Sequence, residues 1–185
     1  MRRLIYALST SLDGYIEGPD GSIDWGVPDD ELFRHFVARA AFLTTELYGR
    51  RMWETMSSYW PAALHDPAQP PLRREFARLW NSGEHVVFSR TLRSVDHGAR
   101  LVTGDAVEEV KRLKAGEGSD MDISGPDLAS TLLAAGLVDE IHAYVHPVAI
   151  GGGKRFLPPG RFDLALIGVQ TFSGGVVQLR YVQRR

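Results

Sequence analysis

The sequence predicts an α/β protein with a mostly parallel central sheet flanked by helices and an antiparallel hairpin at its C-terminus. Three observations point there. Apolar, β-rich runs alternate with helical periodicity for most of the length, several of these runs end on glycine turns that open directly into helices, and strand-like segments lie on both sides of Ser173-Gly174-Gly175. At 185 residues the chain can bury one sizeable core, and no break in composition divides it, so a single domain over residues 1–185 is expected.

Taken in order, "RLIYALS" is a buried first strand, and "LDGYIEGPDG" is a loop by its turn residues. From Asp29 or Asp30 to about Thr45, Leu32, Phe33, Phe36, Val37, Ala40 and Ala41 recur at helical spacing behind a Pro-Asp-Asp start. "FLTTELYG" reads as a strand and "GRRMWETMSSYW" as a helix following a glycine. Prolines make "PAALHDPAQPP" a loop, with a short helix from about Leu72 to Trp80 behind it. "EHVVFSRTL" and "ARLVTG" are strands, "DAVEEVKRLKAGEG" is a charged helix, and "MDIS" is a further strand. Asp127 to Ala135 forms a helix stopped by Gly136. "VDEIHAYVHPVAIGGG" alternates as a strand, and "FDLALIGVQTFSGGVVQLRYVQ" supplies the hairpin.

Composition narrows the function classes. With 21 basic against 23 acidic residues, no whole-molecule field favours nucleic acid or an anionic membrane. The absence of cysteine removes disulfides, thiolate metal sites and a cysteine nucleophile. Asp13, Gly14 and Glu17 interrupt the basic, apolar start too early for a signal sequence, and no apolar run approaches the roughly 20 residues of a membrane span. A cytoplasmic protein with a small-molecule substrate is expected.

Several familiar motifs fail on spacing. "GGGK" at Gly151 to Lys154 is not a phosphate loop, since Val148 stands where the first glycine is needed and Arg155 where Ser or Thr is needed; a bend or bulge fits better. No G-x-G-x-x-G follows the first strand and there is no G-x-S-x-G elbow. His142 and His146 share a strand face but lie about 13 Å apart, poor geometry for one metal, and no metal site is expected.

Three positive or amide-rich spots remain, each where a strand meets a loop or helix: Gly49-Arg50-Arg51, Ser89-Arg90-Thr91 and Ser124-Gly125-Pro126. Guanidinium groups fork onto phosphate oxygens, and an uncapped helix start offers free amides, so together they suit an extended ligand with several phosphates. Pro126 fits the first helical position, which leaves the amides of Asp127 and Leu128 open to an anion. Ligands of open α/β sheets gather outside the carboxyl ends of the strands, where all three spots fall.

The blocks "ALSTSLDGYIEGPDGSIDW", "LYGRRMWETM", "VVFSRTL" and "DISGPDLASTLLAAGLVDEIHAYVHPVAIGGGKRFLP" resemble, in order and spacing, the dihydrofolate-reductase-like family. Within it the likeness is to stand-alone relatives of the C-terminal reductase domain of the bifunctional riboflavin-biosynthesis deaminase/reductase, and it spans Leu4 to Val182. The resemblance implies a three-layer dihydrofolate-reductase-like fold, a homodimer formed through the later strands, and NADPH as hydride donor. It places Ala7 and Ile16 beside the nicotinamide carboxamide, and Gly49, Arg50 and Arg51 at the pyrophosphate and 2′-phosphate. Ser89, Arg90 and Thr91 would lie at the adenine-ribose end, and Ser124, Gly125 and Pro126 beneath the pyrophosphate. Met52 stands where the family often has Thr, and Ser124-Gly125 where it commonly has Gly-Gly, often with a cis peptide.

The implied reaction is hydride transfer to a C=N or C=O bond of a small heterocycle, a pterin, a folate or an aminopyrimidine. The spacing of Trp25 to Asp30 resembles the stretch that supplies the acid in dihydrofolate reductases, which nominates Asp30 as proton donor, with Asp29 behind it and Asp13 of "SLDG" as a second candidate. An Asp after Pro at a helix start is equally an ordinary cap, and Asp13 an ordinary turn residue. Trp25, Phe33, Trp53 and Tyr59 could flank a flat ring or simply fill a core. The alternative to a reductase is a protein of the same fold that binds NADPH without turning it over.

Overall fold

The computed structural model describes residues 1–184. In chain order the elements are β1 (Leu4–Ser11), β2 (Tyr15–Glu17), a 3-10 turn at Asp24–Gly26, α1 (Asp30–Phe42), β3 (Thr45–Gly49), α2 (Arg50–His65), α3 (Pro71–Ser82), β4 (Glu84–Phe88), β5 (Arg100–Val102), α4 (Ala106–Ala115), β6 (Met121–Ser124), α5 (Pro126–Ala134), β7 (Glu140–His146), β8 (Lys154–Arg155), β9 (Leu164–Thr171) and β10 (Val177–Gln183). The main sheet runs β5-β4-β3-β6-β1-β7-β10-β9. Its first six strands are parallel, while β10 is antiparallel to both β7 and β9. The expected parallel sheet with a closing antiparallel hairpin is what forms.

Strand alternation assigns the two faces. Leu4, Tyr6, Leu47, Val86, Met121, Ile123 and Ile141 point to one side and bury themselves against Val110 and Leu113 of α4 and Leu128, Leu132 and Leu133 of α5. Ile5, Ala7, Tyr48, Val87 and Tyr144 point to the other, toward Leu32 of α1, Trp53 and Trp60 of α2, and Trp80 of α3. Three layers result, with the carboxyl ends of β3, β4 and β6 opening at one edge.

Three readings need correction. Residues 61–65, expected in a loop, continue α2 to His65 with Pro61 inside it. Proline removes one intrahelical bond, but Trp60 and Ala63 are buried on either side of it against Ala77 and Trp80 of α3, and Asn81 Nδ2 donates to the Trp60 carbonyl at 3.2 Å. The loop after β1 also holds a strand, β2, which pairs with β8. That pairing explains Gly153: its φ is +123°, and a Cβ there would stand 1.9 Å from the Glu17 carbonyl oxygen. The helix expected to reach Thr45 stops at Phe42, because Thr45 already belongs to β3.

Candidate functional site

A cavity of about 1250 Å³ opens along the carboxyl ends of β3, β4 and β6 and continues between the sheet and helices α1, α2 and α3. Two helix starts face it side by side. β3 and β6 are parallel neighbours with Tyr48 opposite Ser124, so Gly49 and Gly125, the residues that precede α2 and α5, are adjacent. Neither helix carries a side-chain cap. By contrast, α1 is capped by Asp29, which accepts from the Leu32 amide, and α4 by Asp105, which accepts from Val107 and Glu108. The start of α3 also lacks a side-chain cap, but its first residues, Pro71 and Leu72, do not line the cavity. Gly125 turns the chain with φ +135°, a region that L side chains rarely adopt, and no peptide among the described residues is cis.

The predicted cofactor residues converge on this cavity. Ala7, Ile16, Gly49, Arg50, Arg51, Ser89, Arg90, Ser124, Gly125 and Pro126 all line it. Thr91 does not; its amide donates to Ser89 Oγ at 3.2 Å, closing the turn that follows β4. Lys154 joins the wall and reaches Asp127 Oδ2 at 2.6 Å, and Arg51 Nη1 stands 3.7 Å from Glu17 Oε1. Arg50 and Arg90 make no ion pair among the described residues. The mouth thus presents positive charge and free amides together.

Of the aromatics, Trp25 and Phe33 line the cavity. The Trp25 indole Nε1 is buried with no hydrogen-bond partner among the described residues. Trp53 belongs elsewhere: at 3 % exposure it packs between Tyr48 and Trp80, ring centroids 5.9 Å from each. Its place on α2 turns it into the core rather than toward the opening.

None of the nominated acids, Asp30, Asp29 and Asp13, lines the cavity. Asp30 is the exposed first residue of α1, beside the capping Asp29. Asp13 is exposed and accepts from Ser11 Oγ at 2.6 Å and from the amides of Gly151 at 2.7 Å and Ile150 at 3.2 Å; these bonds, the Ser11 hydroxyl first, hold its carboxyl below the usual range. It braces the loop after β7. Other acids line the cavity: Glu17, Asp105 and Asp127, and, on the sheet face toward α1, the cross-strand neighbours Glu46 on β3 and Asp122 on β6. Arg39 of α1 forks onto Asp122 at 2.9 and 3.2 Å and also contacts His142 Nδ1 at 3.1 Å. Tyr144, whose hydroxyl sits 2.9 Å from His35 Nε2 and accepts from Gln178 at 3.0 Å, completes this inner end. The sequence carried one signal for them: charged residues at inward positions of otherwise apolar strands.

Comparison with known proteins agrees with this layout. The family model of the RibD C-terminal domain matches residues 2–178. An uncharacterized protein of Bacillus subtilis (strain 168), YyaP, is 35% identical over 184 residues, covering 97% of this chain and 94% of its own. A crystal structure from Shewanella sp. PV-4 superposes over the whole of both chains with a TM-score of 0.76 at 24% identity. The diaminohydroxyphosphoribosylaminopyrimidine deaminase/5-amino-6-(5-phosphoribosylamino)uracil reductase of Thermotoga maritima superposes with a TM-score of 0.64 at 14% identity, over 99% of this chain and 57% of that one. Sequence match, fold and the arrangement of the strand-end turns lead to one conclusion: this chain belongs to the RibD C-terminal domain family.

Proposed function

We propose that this chain is a reductase that uses NADPH to deliver a hydride to a C=N or C=O bond of a small aminopyrimidine-like heterocycle. The observation that carries the reading is the meeting of two uncapped helix starts and two unpaired arginines on one cavity. The residues fit a dinucleotide. Amides at the starts of α2 and α5 suit its pyrophosphate, Arg90 its 2′-phosphate by charge, and the backbones of Ala7 and Ile16 its carboxamide. When bound, it supplies the hydride. The chain's own part is to hold the acceptor beside it, to exclude water and to provide a proton. Phe33, Phe36, Met52, Met56 and Trp60 give the inner end apolar walls wide enough for a flat ring. The family's Thermotoga maritima relative, an aminouracil reductase by name, supports the substrate class.

Fluorescence titration of NADPH and NADH tests the cofactor step, with NADPH expected to bind more tightly. NADPH oxidation is then followed against aminopyrimidines, pterins and dihydrofolate. No binding of either dinucleotide would remove the reductase reading; binding of NADPH without its oxidation by any acceptor would leave a binding protein.

A further inference from the structure

Three titratable side chains stand in register on neighbouring strands, on the face toward α1: Glu46 of β3 and Asp122 of β6, which line the inner end of the cavity, and His85 of β4, which is buried beside Glu46 and does not line it. Asp122 has a partner in the Arg39 fork. His85 Nε2 lies 2.8 Å from the Trp80 carbonyl, to which it must donate, and this leaves Nδ1 as an acceptor. Between them Glu46 Oε2 is buried without a hydrogen-bond partner, and so is His85 Nδ1, 4.0 Å away. One guanidinium facing two buried carboxyls compensates one of them; the other sheds its charge by keeping a proton. Geometry selects Glu46, since Asp122 takes the fork. Burial first, then the Asp122 charge, push the Glu46 carboxyl up to about 8, with Arg39 opposing. Burial pushes His85 down. The two therefore meet as a neutral acid and a neutral imidazole, not as an ion pair. The other titratable groups near them are Tyr144 of β7 with His35 of α1 at its hydroxyl, His142 beyond Arg39 with Glu140 at its Nε2, Tyr48 beside His85, and Glu84 and His97, whose charges act on His85.

We propose that Glu46 is the proton donor of the reduction, held as a carboxylic acid at the inner end of the cavity because Arg39 is committed to Asp122. The inference rests on the reductase reading above and deepens it. Adding a hydride to the carbon of a C=N or C=O bond sends the π electron pair to nitrogen or oxygen, which must take a proton. Glu46 gives up its O–H proton there, becomes a carboxylate facing Arg39, and regains a proton from solvent before the next turnover. Glu46 lies three residues ahead of Gly49 on β3, about 10 Å from the helix starts. The acid is thus separated from the anion-binding mouth and set where the acceptor ring would lie.

The test compares the wild type with Glu46→Gln and Glu46→Asp. Infrared spectra of the protein alone, from about pH 5 to about pH 9, should show a protonated carboxyl at neutral pH that Glu46→Gln lacks and Glu46→Asp retains. With the best acceptor of the aminopyrimidine, pterin and dihydrofolate panel, Glu46→Gln should lower kcat about 100-fold and abolish the fall of rate at alkaline pH, while NADPH binds as before. Glu46→Asp, which keeps the acid but retracts it, should recover part of the rate. A wild type without that protonated carboxyl, or a Glu46→Gln variant with full rate and the alkaline fall intact, overturns the inference alone. A wild type that binds no NADPH overturns the reductase reading and this inference with it.

Discussion

Gly49 and Gly125 stand shoulder to shoulder: a Cβ added to Gly125 would lie 3.8 Å from the Gly49 nitrogen. That spacing is ordinary contact, so the cost of a side chain at Gly125 is conformational, set by its φ of +135°. Gly125→Ala should destabilise the fold by about 1–3 kcal/mol, read as a lower melting temperature. Because the turn aims the start of α5 beside that of α2, NADPH affinity should fall with it. A variant with wild-type melting and wild-type affinity would show that the turn plays no part in binding.

Arg90 lines the cavity mouth without an ion-pair partner among the described residues. Arg90→Ala should weaken NADPH at least about 10-fold, the order expected from losing a charge-assisted contact to phosphate. NADH, which lacks the 2′-phosphate, should be nearly unaffected. Equal weakening of the two dinucleotides in a fluorescence titration would remove the proposed 2′-phosphate role.

Stability should report the Glu46 proton without any ligand. Its folded pKa, about 8, lies above the ordinary 4.5, so between those values the native state holds more protons than the unfolded chain. Stability contributed by the neutral acid is present in full below about pH 4.5 and is lost as pH rises toward 8. Glu46→Gln cannot ionise and should lose less stability than the wild type between pH 5 and 8. Melting curves at both ends of that range check the sign; parallel behaviour of the two proteins would show that Glu46 is ionised throughout.

The two tryptophans should separate cleanly. Trp53→Ala removes a core ring and should cost about 3–5 kcal/mol. Trp25→Phe deletes an indole N–H that has no partner, so chemical denaturation should barely change, while any ligand acceptor paired with that N–H should bind less tightly. A large stability loss in Trp25→Phe would place that indole in the structural core.

Much of this was legible in the chain. Apolar runs that end on Gly49 and Gly125 and pass straight into helices gave the parallel topology and the place of the cavity mouth, because tight strand-to-helix turns need residues without a side chain in the way. The strand β2 was not legible: two or three residues paired with a segment far along the chain leave no local periodicity. Pro61 pointed to a loop, since the packing of Trp60 and Ala63 that outweighs it depends on α3 being in place. Asp30 drew attention because an acid after proline looks the same whether it caps or catalyses, and here Asp29 caps. Glu46 and Asp122 look like odd residues in apolar strands until α1 brings Arg39 over them.

The two sides of the sheet are unequal in kind. Val86, Val110, Met121, Ile123, Ala129 and Leu132 are fully dry on the side of α4 and α5, whereas Glu46, Asp122, Glu140 and His142 interrupt the opposite side. Local opening should therefore begin in the layer of α1, α2 and α3, leaving the amide hydrogens of β6, β1 and α5 the slowest to exchange with solvent. Breathing motions are in this way confined to the half of the molecule that holds the cavity.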